Sequence, residues 1–384
     1  MRVRSSASEP LARVRGMTHE GADTATVSEV GEARLLEAFL PVATTDGPHV
    51  EVGPGDDCAV VTTPGGRVVM TTDTLTLDQD FRTVWPSGVR TSGTDLGHKC
   101  AAQNLADVAA MGAVPTAVVV SLTLPGDTPV AWVTEFAAGL SRAFETLGAR
   151  ECALVGGDLG RGEELSITAT VLGRCEQSPV LRSGARTGGV LVHAGVLGCA
   201  AAGLDALQSP VPGSWDAVPA DERRELHTAQ LRPRPPVTAG RELARAGATA
   251  MLDVSDGLLK DAGRIARASG VRIDLDPRAL EPDVARLRRA GEAAGVDPWQ
   301  WVLTGGEDHG LLAVLPVDSR LPPGVRAIGS CAPADPAGER HREGSTADPR
   351  PGTDAPSPAV TMAGRAPAEW LGRDVVEGWD HFEP

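Results

Sequence analysis

The chain has 384 residues, enough for two domains, and 41% of them are hydrophobic, enough for a sizeable core. Its 51 acidic residues outnumber 36 basic ones, and the net charge of -15 excludes a basic nucleic-acid-binding stripe, while no apolar run reaches membrane-spanning length. None of the six cysteines forms a CxxC pair, so they are expected to be reduced, mostly buried thiols of a cytoplasmic protein.

Residues 1–28 are polar and irregular and read as a disordered extension, with Met17 as an alternative start. GEARLLEAFL (31–40) has helical apolar spacing. CAVVTT (58–63) and RVVMTTD (67–73) read as strands around the turn PGG. DLGHKCAAQNLADVAAMGA (95–113) reads as a helix with an alanine- and leucine-rich interior and a glycine stop. TAVVVSLTL (116–124) reads as a buried strand, and residues 129–149 as an amphipathic helix opened by Pro129. CALVGGD (152–158) reads as a strand ending in a glycine turn. In LSITATVLG (165–173), Ile167, Ala169 and Val171 alternate with Ser166, Thr168 and Thr170, as in a strand with one buried face.

A second unit opens with RSGARTGGVLVHAG (182–195), which carries a strand at 189–194. ATAMLDVSDGLLKDAGRIARASG (248–270) reads strand, turn, helix, and TGGEDHGLLAVLP (304–316) reads turn, then strand. Residues 332–358 are rich in Pro, Gly, Asp and Arg without apolar periodicity and read as a flexible loop; GWDHF (378–382) restores aromatics at the end. The expected division is an extension (1–28), an N-terminal domain (29–176) and a C-terminal domain (177–384).

Acidic residues recur beside Gly, Ser or Thr: Asp56 and Asp57 in GDD, Asp73 in TTDT, Asp107 in NLAD, Asp158 in GGD, Asp253 and Asp256 in DVSDG, and Glu307 and Asp308 in GGED. Any one of these is more readily a cap or turn residue, and Asp256 suits a helix N-cap. So many together suggest hard oxygen ligands for Mg²⁺, with Thr71, Thr72 and Ser255 adding hydroxyls. Each ion takes one or two carboxylates, so several ions are expected, facing phosphates. On this reading Asp56 and Asp57 both face cations. Asn104 and Asp107, three apart, share a helix face, and Asp107 is expected to point into the metal site. There is no GxxxxGK[ST], no GxGxxG after a strand, no HExxH and no zinc-spaced Cys/His cluster. His98 reads as a packing residue.

In this order, GDDCAVV, TTDTL, QNLADVAAMGA, GGD, RSGAR, LRP, DVSDGL, GGED and GWDHF resemble the thiamine-monophosphate kinase family, from about Gly31 to Phe382. Several of these motifs also occur across the wider aminoimidazole-ribonucleotide-synthetase-like (PurM-like) superfamily. The resemblance implies a two-domain α+β fold, in which a PurM-like N-terminal domain forms a barrel-like dimer core and a PurM-like α/β domain follows. It implies ATP-dependent phosphorylation of thiamine monophosphate to thiamine diphosphate, with magnesium. Carried over by motif, Asp57, Thr71, Thr72, Asp73, Asp107, Asp158, Asp253 and Asp256 would hold magnesium. Gly157, Asp158, Arg182 and Ser255 would meet ATP; Glu307 and Trp379 would meet the thiamine moiety. Asp80 stands where the family often has a substrate-contacting histidine, and Arg150 where it often has an aromatic near the nucleotide. The alternatives are another ATP-dependent member of the superfamily and a non-catalytic nucleotide-binding subunit. Of the first, the selenophosphate branch would want a reactive cysteine before the metal motif, whereas Cys58 follows GDD; the second would lack carboxylates, whereas every acidic motif position is filled.

Overall fold

The computed structural model describes residues 50–375 and 378, apart from 53–55, 57, 58, 64, 65, 211, 212, 214 and 335–358. The expected extension at 1–28, the helix at 31–40, most of the loop at 332–358 and the residues of GWDHF after Gly378 lie outside the described residues. Residues His49–Gly378 form one compact unit.

The first half contains β1 (Val50–Val52), β2 (Ala59–Thr63), β3 (Gly66–Thr76), α1 (Gly93–Ala110), β4 (Val114–Leu124), α2 (Val130–Thr146), β5 (Ala153–Arg161) and β6 (Ser166–Arg174). Its strands make one sheet in the order β1-β2-β3-β6-β4-β5, antiparallel except for the parallel pair β4–β5. β6 buries Ile167, Ala169 and Val171 and leaves the intervening Ser and Thr half-exposed, as its alternation demands. β3 extends three residues beyond the expected strand, so Asp73 lies within the ladder and not at its end. β5 runs straight through the expected glycine turn, because residues 156–161 pair with β4.

The second half contains β7 (Val190–Ala194), α3 (Cys199–Gln208), α4 (Ala220–Leu231), α5 (Val237–Arg245), β8 (Ala250–Val254), α6 (Leu258–Ser269), β9 (Val271–Leu275), α7 (Pro277–Ala294), α8 (Pro298–Thr304), β10 (Gly310–Leu315), β11 (Val325–Pro333), β12 (Val360–Met362) and α9 (Pro367–Leu371). Its sheet order is β12-β9-β11-β7-β10-β8. β8 and β10 are buried at every residue because both faces are covered. One face, with Met251, Leu311 and Ala313, joins the core of the first half; the other, with Leu252, Leu312 and Val314, packs with Leu258 and Ile265 of α6 and Leu287 of α7.

α1 is the helix between these layers. It starts two residues before the expected Asp95 because Ser92 and Asp95 form a capping box: Ser92 Oγ accepts from the Asp95 amide at 3.2 Å, and the Ser92 amide donates to the Asp95 carboxylate at 2.8 Å. Gly97 lets α1 approach α2 closely; a Cβ there would stand 2.1 Å from the Phe136 carbonyl oxygen. Beyond its first turn, only Gln103 and Asp107 of α1 escape burial. That window faces the chemistry described next.

Candidate active site

Two elements of the first half form one wall. Alternate residues of β3 face α1, and Thr71 Oγ1 donates to the Asp107 carboxylate at 2.6 Å. Asp73 lies on the same face and shares a hydrogen bond with Asp107. Burial, followed by repulsion from Asp253, pushes the Asp73 carboxyl above its ordinary range, and the Asp80 charge adds to this. Carboxylates crowded in this way favour a cation among them.

The second half supplies the opposite wall. Asp253, at the end of β8, is 3% exposed, and its carboxylate lies 3.0 Å from Nδ1 of His309. Residues 307–309 fold back over the turn after β8: the Glu307 amide donates to the Ser255 carbonyl at 2.9 Å, and the His309 amide to Val254 at 3.1 Å. Glu307 and His309 both take left-handed backbone conformations, at φ 65° and 53°. Between them, the Asp308 carboxylate accepts the Ala200 amide at the start of α3, at 2.8 Å, and burial pushes its carboxyl up to about 7. Glu307 pairs with the Lys99 ammonium of α1 at 2.8 Å and accepts a hydrogen bond from the Gln230 side chain.

Other expected site residues fall differently. Asp56 is engaged by an arginine: Arg182 Nε lies 3.7 Å from one carboxylate oxygen and the Arg182 amide donates to the other at 2.8 Å, so Asp56 is fastened to the RSGAR segment. Arg182, expected to meet ATP, is thus paired with Asp56. Asp57 and Trp379 lie outside the described residues. Thr72 Oγ1 donates to the Ala169 carbonyl at 2.9 Å on the other face of β3, away from Asp107, since consecutive strand residues point oppositely. Asp158 pairs in register with Ser121, which pairs with Thr168 and through it with Thr74, the row on that same opposite face. Gly157 serves the β4–β5 pairing, since a Cβ there would lie 2.0 Å from the Val120 carbonyl oxygen. Arg150 sits exposed in the turn before β5.

Asp256 does not cap α6. Asp261 does so from inside the helix, accepting the Asp256 and Gly257 amides at 3.0 and 3.1 Å, while the Asp256 side chain pairs with Arg264 and, at 3.8 Å, with Lys260. Asp80 closes the turn after β3 by accepting the Thr76 amide at 2.7 Å. The same loop then crosses to the second half, where the Ser87 amide donates to the Leu207 carbonyl at 3.1 Å and Trp85 packs with Leu207 and Leu231. His98 packs, with Nε2 2.8 Å from the Pro233 carbonyl. Lys99, Gln230 and His309 are the residues that sequence reasoning missed. A signal existed for Lys99, one of two lysines in the chain and set in a helix of small apolar residues, where a buried ammonium requires an anionic partner.

Among the described residues, no three His, Cys, Asp or Glu side chains form a ready-made metal cage. Residues 55–175 match the family described as AIR synthase related protein, N-terminal domain. The thiamine-monophosphate kinase of Mycobacterium tuberculosis H37Rv is 40% identical over 308 residues, 80% of this chain and 86% of that protein. That of Corynebacterium glutamicum is 39% identical over 313 residues, 80% of this chain and 88% of that protein. The solved structure of AaThiL complexed with AMPPCP and TMP matches with a TM-score of 0.73 and 26% identity, over 93% of this chain and 99% of that one. The hydrogenase maturation protein HypE in complex with ATP shares the fold, at a TM-score of 0.52 and 18% identity over 87% of this chain and 89% of that one. With relatives this similar over most of both chains, the protein belongs to the thiamine-monophosphate kinase family and has its two-sheet, AIR-synthase-related α+β fold.

Proposed function

We propose that the protein transfers the γ-phosphoryl group of ATP to the phosphate of thiamine monophosphate, giving ADP and thiamine diphosphate, as a step of thiamine diphosphate biosynthesis. The observation that carries this reading is that Asp73, in a chain of this family, lies beside Asp107 of its own half and feels the charge of Asp253 from the other. The AaThiL complex with AMPPCP and TMP supports both substrates.

The donor set fits magnesium. Its members are carboxylates and hydroxyls, and a cage that is incomplete without phosphate oxygens suits an ion that keeps one or two carboxylates and binds the rest through substrate and water. Asp57, Thr71, Asp73, Asp107 and Asp253 would hold the ions, with Asp256 once its arginine and lysine partners yield. Magnesium, when bound, would neutralise phosphate charge during transfer. The acceptor phosphate is itself anionic at neutral pH, so no general base is needed; the protein's task is to align two anions. Arg182, Ser255, Gly157 and Arg150 lie on segments assigned to ATP. Asp80, Glu307 and Trp379 are assigned to the thiamine moiety, where Trp379 would offer a π face to a cationic ring.

Thr72 and Asp158 belong to the other face of the first sheet, which we assign to a homodimer contact. Supporting it, β5 is an edge strand of the described sheet, and Leu154, Val155 and Leu159 stand 47%, 62% and 70% exposed. The halves divided near residue 176 would act as two domains around the cleft. A cytoplasmic location agrees with five free cysteines among the described residues, and no described helix is long and apolar enough to cross a membrane.

A coupled ADP-release assay tests the function. ADP should form with thiamine monophosphate and not with thiamine or without acceptor. ADP formation that depends on thiamine alone would overturn the reading.

A further inference from the structure

We propose that Lys99 is a positioning residue for the acceptor substrate, acting through Glu307 with the help of Gln230; this rests on the function proposed above. Neither Lys99 nor Gln230 has a place among the residues expected from the sequence motifs.

The pair is asymmetric. The Lys99 side chain is 3% exposed and the Glu307 side chain 34%. The ammonium therefore cannot reach a ligand in the cleft, whereas the carboxylate keeps an open side. Both carboxylate oxygens are already held: Oε1 by Lys99 at 2.8 Å and Oε2 by the Gln230 amide. Lys99 also donates to the Gln230 backbone carbonyl at 3.4 Å, which ties the two holding residues to each other. The Glu307 backbone is fixed independently by its amide bond to Ser255 and its left-handed conformation. A long, flexible side chain is thus reduced to one orientation before any ligand arrives, which removes an ordering cost from binding.

Charge works in the same direction. Burial pushes the Glu307 carboxyl up, but the Lys99 charge and the hydrogen bonds from Lys99 and Gln230 outweigh it and hold the group below its ordinary range. Without Lys99 the half-buried carboxylate loses the partner that keeps it ionised and aimed. The Lys99 charge also opposes an approaching organic cation, so its removal has two opposing effects. Loss of orientation wins here, because among the described residues Lys99 and Gln230 account for every hydrogen bond that holds the carboxylate.

The location separates binding from chemistry. Lys99 and Asp107 are eight residues apart on α1, roughly 12 Å along the helix axis. Glu307, held at the Lys99 end of that spacing, is therefore assigned to the part of the acceptor remote from the transferring phosphoryl group. Its loss should appear in KM for the acceptor and not in kcat.

The test is steady-state kinetics with thiamine monophosphate and ATP on the wild type, Lys99→Met, Lys99→Arg, Glu307→Gln and the Lys99→Met/Glu307→Gln double variant. Lys99→Met should raise KM for thiamine monophosphate roughly tenfold, the scale of one charge-assisted hydrogen bond, with kcat and KM for ATP within about twofold. Lys99→Arg should recover most of that loss. In the Glu307→Gln background, Lys99→Met should add nothing further, because it acts through the residue already removed. An unchanged or lowered KM in Lys99→Met, or effects that add in the double variant, would overturn the proposal. If circular dichroism shows Lys99→Met unfolded, Gln230→Leu takes its place, with a KM rise of about threefold to tenfold expected and an unchanged KM overturning it. A wild type inactive on thiamine monophosphate would overturn the proposed function, and this inference with it; an active wild type beside an unaffected Lys99→Met overturns this inference alone.

Discussion

Asp107 is the residue on which the site turns. It receives the Thr71 hydroxyl at 2.6 Å, shares a hydrogen bond with Asp73, and is one of two residues of α1 beyond its first turn that escape burial. Replacing a ligand carboxylate with an amide removes charge while keeping shape. Asp107→Asn and Asp73→Asn should therefore lower turnover by roughly 100-fold or more at millimolar-order magnesium. Stability should hold, since relieving carboxylate crowding offsets the lost bonds. Near-normal rates in both variants, with thermal melts matching the wild type, would remove them from the metal site. Thr71 deserves a separate expectation: Thr71→Val keeps the charge and loses only the orienting bond, so its rate loss should be smaller than that of Asp107→Asn.

At the scale of elements, the crossing of α1 and α2 sets how the cleft floor lies. Gly97 faces the Phe136 carbonyl and Gly139 faces the Thr94 carbonyl, with the added Cβ atoms at 2.1 and 2.3 Å. Backbone cannot yield as a side-chain tip can, so the helices would have to move apart. Gly97→Ala and Gly139→Ala should each cost about 2–3 kcal/mol, at the upper end of overpacking penalties. Melting temperature should drop by roughly 3–4 °C. Unchanged melts would mean that the two helices are less tightly apposed. Because α1 carries both Lys99 and Asp107, activity in Gly97→Ala should fall more than the unfolded fraction explains. Periodicity identified this helix, but its first residues escaped it, since the cap at Ser92 and Asp95 lies before the apolar repeat. The strand through GGD escaped for a different reason. Glycine pairs signal turns locally, and only the register with β4 keeps residues 156–161 extended.

For the whole molecule, the first sheet exposes an edge strand, β5, and the face that carries Thr72 and Thr74, with no partner among the described residues. β5 ends the sheet order, with Val155 and Leu159 more than half exposed. A homodimer through this surface predicts light scattering at twice the chain mass. Val155→Glu with Leu159→Glu should give a monomer, because two charges would be buried without partners. A wild type that scatters as a monomer across the assay concentration range would count against the contact. The same variant reports on Asp158: if a second copy covers its face, dissociation should also lower turnover.

The sequence by itself determined the strand and helix types of most segments, the family, and the list of acidic residues, because short-range periodicity and motif order are local properties of the chain. Tertiary structure decided which of those acids work together. Asp73 and Asp107 share one side because β3 alternates and α1 covers that face, whereas Thr72, adjacent in sequence, falls on the other. Asp56 and Asp256 carry the same motif signal as Asp253, yet they meet Arg182 and Arg264, residues brought to them by chain segments 126 and 8 positions away. Lys99 and Glu307 stand more than two hundred residues apart and show no motif that links them. A charge pair across that distance exists only when two sheets pack on one helix, and no local pattern encodes that packing.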